Sequence, residues 1–245
     1  MMSKIALLNN VDHQNLRVVT THGPEFGDDV NRVLVFPAEY ADVQREYPIL
    51  LVKDSNDAYQ TVALLGFENG ENLFLSPQGW QARYIPAIQQ RGPFSIGFQS
   101  HTGDDGDVRE PMIHIDLDHP RVSETEGHPV FLPQGGNSPY LEYVSGVLRI
   151  LHEGLEFSQK LFAALEKFDL IEPLKLEIQL SEENKIGVSG YSTVSEEKLR
   201  QLDGDALAEL SAEGYLGATY MLIASLGNVR RLIDLKTLRL QQAAG

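Results

Sequence analysis

Two textures alternate along the chain. Through about residue 130 the apolar residues come in short runs, at 33–36, 49–52, 61–65 and 73–75. Turn formers bound each run: Pro37, Pro48, Asp54 to Asp57, Gly66, Asn69-Gly70 and Pro77 to Gly79. Short apolar or β-branched runs between such residues predict strands. Runs at 94–98 and 112–117 add two more. Asn69-Gly70 offers the positive φ angles of a tight hairpin turn. Residues 38–46 predict one short helix. The polar, glycine-containing stretch 101–110 predicts a loop.

After Gly135-Gly136 the period changes. Leu141, Val144, Leu148, Leu151, Leu155, Phe162 and Leu165 recur at steps of three and four, with Ser158 filling one place. That spacing predicts a long amphipathic helix. Ser138 suits its N-cap and Pro139 its first turn. Leu141, Leu148, Leu151, Leu155 and Leu165 are expected to line one buried face. With a serine in the stripe, packing against a sheet is favoured over a coiled coil.

Leu174, Leu176, Ile178 and Leu180 then alternate with Lys175, Glu177 and Gln179. This is the period of a half-buried strand. Ser181 to Asn184 is expected to turn it into a second strand at 185–191. Helices are predicted at 195–202, capped by Ser195, and at 205–213, stopped by Gly214. A last segment, 215–240, starts apolar and ends basic. Its Arg230, Arg231, Lys236 and Arg239 would complement the negative end of a helix dipole. The predicted fold class is α+β: a strand-rich part (about 1–135) and a helix-rich part (about 136–245) sharing one core as a single domain.

Charge narrows the partners. The chain of 245 residues carries a formal net charge of −15. Such a surface repels phosphate backbones and anionic lipid, so no nucleic acid is expected as a partner. There are no cysteines, which excludes disulfides, thiolate zinc sites and cysteine nucleophiles. No run approaches the ~18 uninterrupted apolar residues of a membrane span. The best, 215–226, is broken by Gly217, Thr219 and Ser225. The apolar run 5–8 is far shorter than the ~7–15 residues of a secretory signal core. The expected compartment is the cytoplasm, with signal-independent export as the other route. No cofactor is expected, and a homo-oligomer is compatible with the composition.

Candidate chemistry is sparse. Trp80, Arg83, Tyr84, Arg91 and Phe94 form a dense aromatic–arginine block. Tryptophan, tyrosine and arginine dominate recognition hot spots, and an arginine can stack on rings or clasp a carboxylate. Architecture is the competing use: Trp80 in the core, with Arg83 and Arg91 paired to Glu68, Glu71 or Asp118. His114 and Asp116 would share one face of a strand. They could supply two ligands of a facial-triad iron site, with His119, His128 or His152 as third. His152, however, falls in the long helix. Asp104, Asp105 and Asp107 hint at a calcium loop, but with Asp104 as position one the twelfth residue is Ile115, not glutamate. Glu68 and Glu71 flank Gly70 and are expected to be solvated. There is no G-x-S-x-G elbow, P-loop or dinucleotide turn.

Several blocks, in order, resemble the SapC family of bacterial proteins. They are Tyr47-Pro48-Ile49; Ala63 to Gly66 with Glu71 to Phe74; Trp80 to Pro86; and Arg91 to Phe94. Pro120-Arg121 with Ser123-Glu124 and Glu126-Gly127, and then Ser138 to Glu142, continue the likeness. Gly190-Tyr191, Gly214-Tyr215-Leu216 and Ser225 to Asn228 with Arg230 to Leu232 complete it. The resemblance spans roughly residues 30–240, and the tract 9–29 and the loop 101–110 look individual. Family members frequently carry a histidine in the helix before the Ser-Leu-Gly-Asn tetrad, where this chain has Met221, Leu222 and Ile223. His114 lies outside the family pattern.

The resemblance implies an association with bacterial surface layers, from which the family takes its name. The peptide-transporter permease of the same short name is a different protein. Relatives are often encoded beside outer-membrane receptors, flavin-dependent halogenases and cupin-like oxygenases, which implies an accessory role in uptake or peptide modification. The expected function is therefore an accessory or binding protein that recognises a protein or peptide, rather than an enzyme. The alternative is a non-haem iron oxygenase using His114 and Asp116.

Overall fold

The computed structural model describes residues 4–103, 106–179 and 185–244. It is an α+β fold. Five antiparallel strands form the largest sheet, in the order β12 (Ile171–Gln179), β13 (Lys185–Val194), β4 (Ile49–Lys53), β5 (Tyr59–Leu64) and β3 (Arg32–Leu34). Strands from the two ends of the chain thus meet where Ser192 pairs with Leu51. A second sheet places β9 (Gly106–Asp116) between β1 (Ile5–Leu7) and β8 (Phe94–Gly103). Two small sheets complete the strands: β2 (Arg17–Val18) between β10 (Val122–Ser123) and β11 (His128–Pro129), and β6 (Leu75–Ser76) with β7 (Gly79–Trp80).

The helices are α1 (Tyr40–Val43), α2 (Ala87–Gln90), α3 (Pro139–Lys167), α4 (Glu196–Arg200), α5 (Gly204–Ala212), α6 (Tyr215–Ser225) and α7 (Val229–Ala244). Ser138 caps α3 as predicted, its Oγ accepting from the Leu141 amide at 3.1 Å. Ser195 precedes α4 without a side-chain cap, and Asp203 caps α5.

Two apolar clusters organise the molecule. The larger joins Leu50, Leu51, Val62 and Leu64 to Leu161, Phe162 and Leu165 of α3, Leu222 of α6 and Leu232 of α7. The smaller joins Phe94 and Ile115 to Leu141, Val144 and Leu148. Helix α3 therefore serves one core with each end. This corrects the predicted stripe: Leu155, between the two, is 54% exposed, and Leu151 is half-buried. Strict three–four spacing drifts around a 3.6-residue helix, so a stripe that long cannot keep facing one way. At the crossing point Gly154 is buried against Phe36 instead.

Other expectations shift as well. The stretch 101–110 continues the β8–β9 ladder, with Gly103 paired to Gly106, while Asp104 and Asp105 lie outside the described residues. The turn 181–184 also lies outside them. Residues 73–74 form no strand, although Gly70 takes the positive φ expected (74°). The segment 215–240 breaks into α6, a 3-10 turn at Leu226–Asn228 and α7. No helix among the described residues is long and apolar enough to cross a membrane.

Three of the four basic residues of α7 serve other elements rather than its own dipole, while Arg230 lies 3.9 Å from Asp234 of the same helix. Lys236 is buried and reaches Glu71 at 2.6 Å and Glu68 at 3.0 Å, so those two acids are not a solvated pair. Arg239 donates to the carbonyls of Asn72 (3.1 Å) and Leu75 (2.8 Å). Arg231 reaches Glu46 at 3.0 Å. Together they strap the loop 66–75 and the end of α1 to the final helix.

Candidate functional site

A groove of about 750 Å³ runs between the segment 83–92 and one face of α3. Its floor is apolar, from Ile85, Val147 and Ile150. Arg83, Tyr84, Tyr140, Tyr143 and Arg149 stand around it, with His22 and Arg121 beside them.

The segment 83–86 is held by groups behind it. Glu46 Oε1 accepts from the amides of Arg83 (2.8 Å) and Tyr84 (3.3 Å), while its other oxygen holds Arg231. Tyr47 Oη accepts from Trp80 Nε1 at 2.8 Å and donates to the Tyr84 carbonyl at 2.5 Å. Glu39, 2% exposed, accepts from Tyr84 Oη (2.8 Å) and the Ala87 amide (2.9 Å) with one oxygen and from Phe36 N (3.0 Å) with the other. Burial raises the Glu39 carboxyl above its ordinary pKa, although its three hydrogen bonds oppose that. At Gly92 (φ 54°) the chain turns back over Arg121 and Tyr140, an angle L side chains rarely adopt.

Free donors are what distinguish the groove. Arg83 and Arg149 are exposed, and neither guanidinium makes a hydrogen bond or ion pair among the described residues. Tyr140 likewise has no hydrogen-bond partner for its phenol among them, and burial pushes its pKa up to about 12, so it stays protonated. Tyr84 and Tyr143 offer ring faces, their hydroxyls being tied to Glu39 and Gln90. Glu142, the acid on the rim, accepts from Asn137 at 2.7 Å. Arg121 is neutralised by Asp28. Two unpaired guanidiniums thus stand above an apolar floor, with the Glu142 carboxylate on the rim.

The five residues of the aromatic–arginine block separate. Arg83 and Tyr84 line the groove. Trp80 flanks it in a shallower cleft shared with Arg83 and Arg231. Arg91 is half-buried and donates to the Phe94 carbonyl at 3.1 Å, with its Nε buried and unpartnered among the described residues. Phe94 is fully buried in the smaller core. Neither Arg83 nor Arg91 pairs with Glu68, Glu71 or Asp118.

His114 and Asp116 lie two apart on β9, and no third ligand is brought to them among the described residues. His119 accepts from the Arg121 amide, His128 stacks on Tyr140 at 5.7 Å, and His152 packs on Phe98 at 5.3 Å. Among the described residues no group of three or more histidines and acids is placed to hold a metal ion. Among the described residues the oxygenase reading has no donor set.

The blocks on which the family resemblance rests converge here. Tyr47, Trp80 to Pro86, Arg121 and Ser138 to Glu142 wall or support the groove, and Asn228 donates to the carbonyls of Gln44 (2.8 Å) and Tyr47 (3.2 Å) beneath it. The family model described as SapC matches residues 8–232 of the 245. The chain belongs to the SapC family. The match begins well before residue 30, so the tract 9–29, which looked individual, lies inside it. No curated protein and no solved structure matches the chain.

Sequence reasoning missed Arg149, Tyr140, Tyr143 and His22. A signal for part of this existed. Tyr140, Tyr143, Val147 and Ile150 recur at steps of three and four, a second stripe on α3 beside the core stripe.

Proposed function

We propose that this SapC-family chain is an accessory binding protein whose groove takes a carboxylate-bearing segment of a protein or peptide. One observation carries the reading: Arg83 and Arg149 present unpartnered guanidiniums over one apolar-floored groove. A guanidinium offers a planar fork that matches a carboxylate and a flat face that stacks on rings. Ile85, Val147 and Ile150 would take the apolar body beside that charge. The net charge of −15 opposes an acidic partner at long range. At physiological salt, however, charges are screened beyond about 8 Å, so the local arginines decide at contact. The role in uptake, peptide modification or a surface layer rests on the family resemblance alone.

Fluorescently labelled short peptides that pair aspartate with phenylalanine test the reading against their asparagine counterparts. The acidic peptides should bind about 10-fold or more tighter, the range of a charged hydrogen bond. Arg83→Ala and Arg149→Ala should abolish that preference while keeping the melting temperature. Equal binding of acidic and neutral peptides, or binding untouched by both substitutions, would overturn it.

A further inference from the structure

His22 lines the same groove, with its side chain 14% exposed. It comes from the loop before β3, far from the aromatic–arginine block in sequence. Its Nδ1 stands 3.0 Å from Asp28 Oδ2, and Asp28 is 2% exposed. The same carboxylate accepts from the Gly23 amide at 3.0 Å and from Arg121 Nη2 at 2.8 Å. Burial works to raise the Asp28 pKa, but the His22 hydrogen bond, the Arg121 charge and the Gly23 amide outweigh it and hold the carboxyl below its ordinary value.

That arrangement fixes the tautomer. An ionised carboxylate can only accept, so the proton between His22 and Asp28 belongs to Nδ1. Arg121 Nη2 is a donor and could compete for Nδ1, but it stands at 3.4 Å against 3.0 Å for the Asp28 carboxylate, so Asp28 decides the proton. In the neutral ring Nε2 then carries a lone pair. No hydrogen bond engages Nε2 among the described residues. The ring is wedged edge-on against Trp80, with centroids 5.5 Å apart, so it is held by a polar and an apolar neighbour at once. Of the groove's other free groups, Arg83 and Arg149 can only donate, while the Tyr140 phenol can donate or accept. A fixed acceptor beside them asks for a ligand with both kinds of group.

We propose that His22, oriented by Asp28, is a fixed hydrogen-bond acceptor of the groove, which therefore selects a ligand with an N–H donor next to its carboxylate. The chemistry is that of an N-acylated amino acid, free or at the C-terminus of a peptide. The carboxylate meets an arginine, the amide N–H meets Nε2, and the side chain lies on Ile85, Val147 and Ile150. This rests on the carboxylate reading above and adds to it the group that reads the amide.

Three small probes separate the two readings: N-acetylphenylalanine, its N-methyl derivative, which lacks the donor, and its C-terminal amide, which lacks the carboxylate. Affinities come from NMR titration of the full chain to about 10 mM, which captures millimolar binding. The N-methyl compound should bind roughly 3- to 10-fold more weakly, the span of one neutral hydrogen bond. His22→Phe should bring that ratio to about one while the carboxylate preference survives. Equal binding of the N–H and N-methyl compounds, with the amide still weaker, overturns the His22 assignment alone. An amide that binds as well as the acid overturns the carboxylate reading. Absence of any saturable shift overturns both. Nitrogen-15 ring spectra at about pH 8, above the ordinary imidazole range, give a ligand-free check. A proton on Nε2 rather than Nδ1 refutes the assignment whatever the probes do. Acetyl-Ala-Ala-Phe binding more tightly than N-acetylphenylalanine identifies a peptide end, and equal binding a free N-acyl amino acid.

Discussion

Arg121 and Asp28 form a buried ion pair: Nη2 stands 2.8 Å from Oδ2, and the side chains are only 5% and 3% exposed. The guanidinium also donates to the carbonyls of Val19 (3.1 Å) and Thr21, and lies 4.4 Å from the Phe26 ring centroid. One side chain thus gathers the tract 19–28 against the rest of the fold. Removing a single partner of such a pair strands a buried charge, which costs about 3–5 kcal/mol. Asp28→Ala and Arg121→Ala should each lose that much in urea denaturation. The double change to leucine should cost well under the sum, because no charge is left unpaired. A single-variant loss under about 1 kcal/mol would show that water reaches the pair.

The same pair sets an acid limit. Asp28 has a folded pKa below its ordinary 3.8, so its contribution is fully present above that value. It is lost as pH falls through the lowered folded value. The stability gap between the native chain and Asp28→Asn should be constant above about pH 3.8 and close as pH falls below it. A gap that stays constant below that pH would separate Asp28 from the acid limit.

Where α3 passes from one core to the other, Gly154 lets Phe36 approach. A Cβ there would stand 2.5 Å from Phe36 Cβ and 2.9 Å from its Cγ. In an open helix, glycine to alanine gains up to about 1 kcal/mol. Here the overpacking cost of about 1–3 kcal/mol should win. Gly154→Ala should therefore lower the melting temperature, whereas Gly146→Ala, with nothing within 4 Å of the added carbon, should raise it. A stabilised Gly154→Ala would mean that Phe36 moves aside at little cost.

Two leucines of the long helix give a paired test. Leu148 is 3% exposed in the smaller core, and Leu155 is 54% exposed. Leu148→Ala should cost about 2–5 kcal/mol. Leu155→Ala should stay within about 0.5 kcal/mol, as surface changes do. Equal losses would restore the single continuous stripe read from the spacing.

What the sequence showed, and what it hid, follows from which groups do the specifying. Ser138 and the three–four spacing announced α3 because capping and burial are local. The alternation from Leu174 to Leu180 announced β12 for the same reason. The ladder beyond Phe98 was invisible, since backbone pairing between Gly103 and Gly106 needs no apolar pattern. Arg83 and Tyr84 stood out within one dense block. His22, Asp28, Arg121 and Arg149 did not, because the groove assembles them from segments about 100 residues apart by contacts with no sequence period. The final helix showed its basic residues but not their use: Lys236, Arg231 and Arg239 each answer a group far back in the chain.

The remaining prediction links the fold to the groove through Glu39. Its carboxyl is buried with no cation beside it among the described residues, and its oxygens hold the Tyr84 hydroxyl and the Ala87 amide that position the groove wall. Burial raises its folded pKa above the ordinary 4.5. For an acid the sign is then opposite to Asp28. The folded state keeps the proton longer than the unfolded chain, so stability falls as pH rises from about 4.5 to the raised value and stays lower above it. Glu39→Gln cannot ionise and should lack that decline. Melting temperatures of both proteins, taken from about pH 4 to pH 8, isolate the effect because every other group titrates alike in the two. The native chain should lose ground to Glu39→Gln through the window. The substitution also brings a side-chain N–H toward the Ala87 amide, so a constant offset between the curves is expected and only the slope is diagnostic. A flat difference, or one that grows in favour of the native chain, would mean that the Glu39 hydrogen bonds outweigh its desolvation and hold the carboxylate ionised throughout.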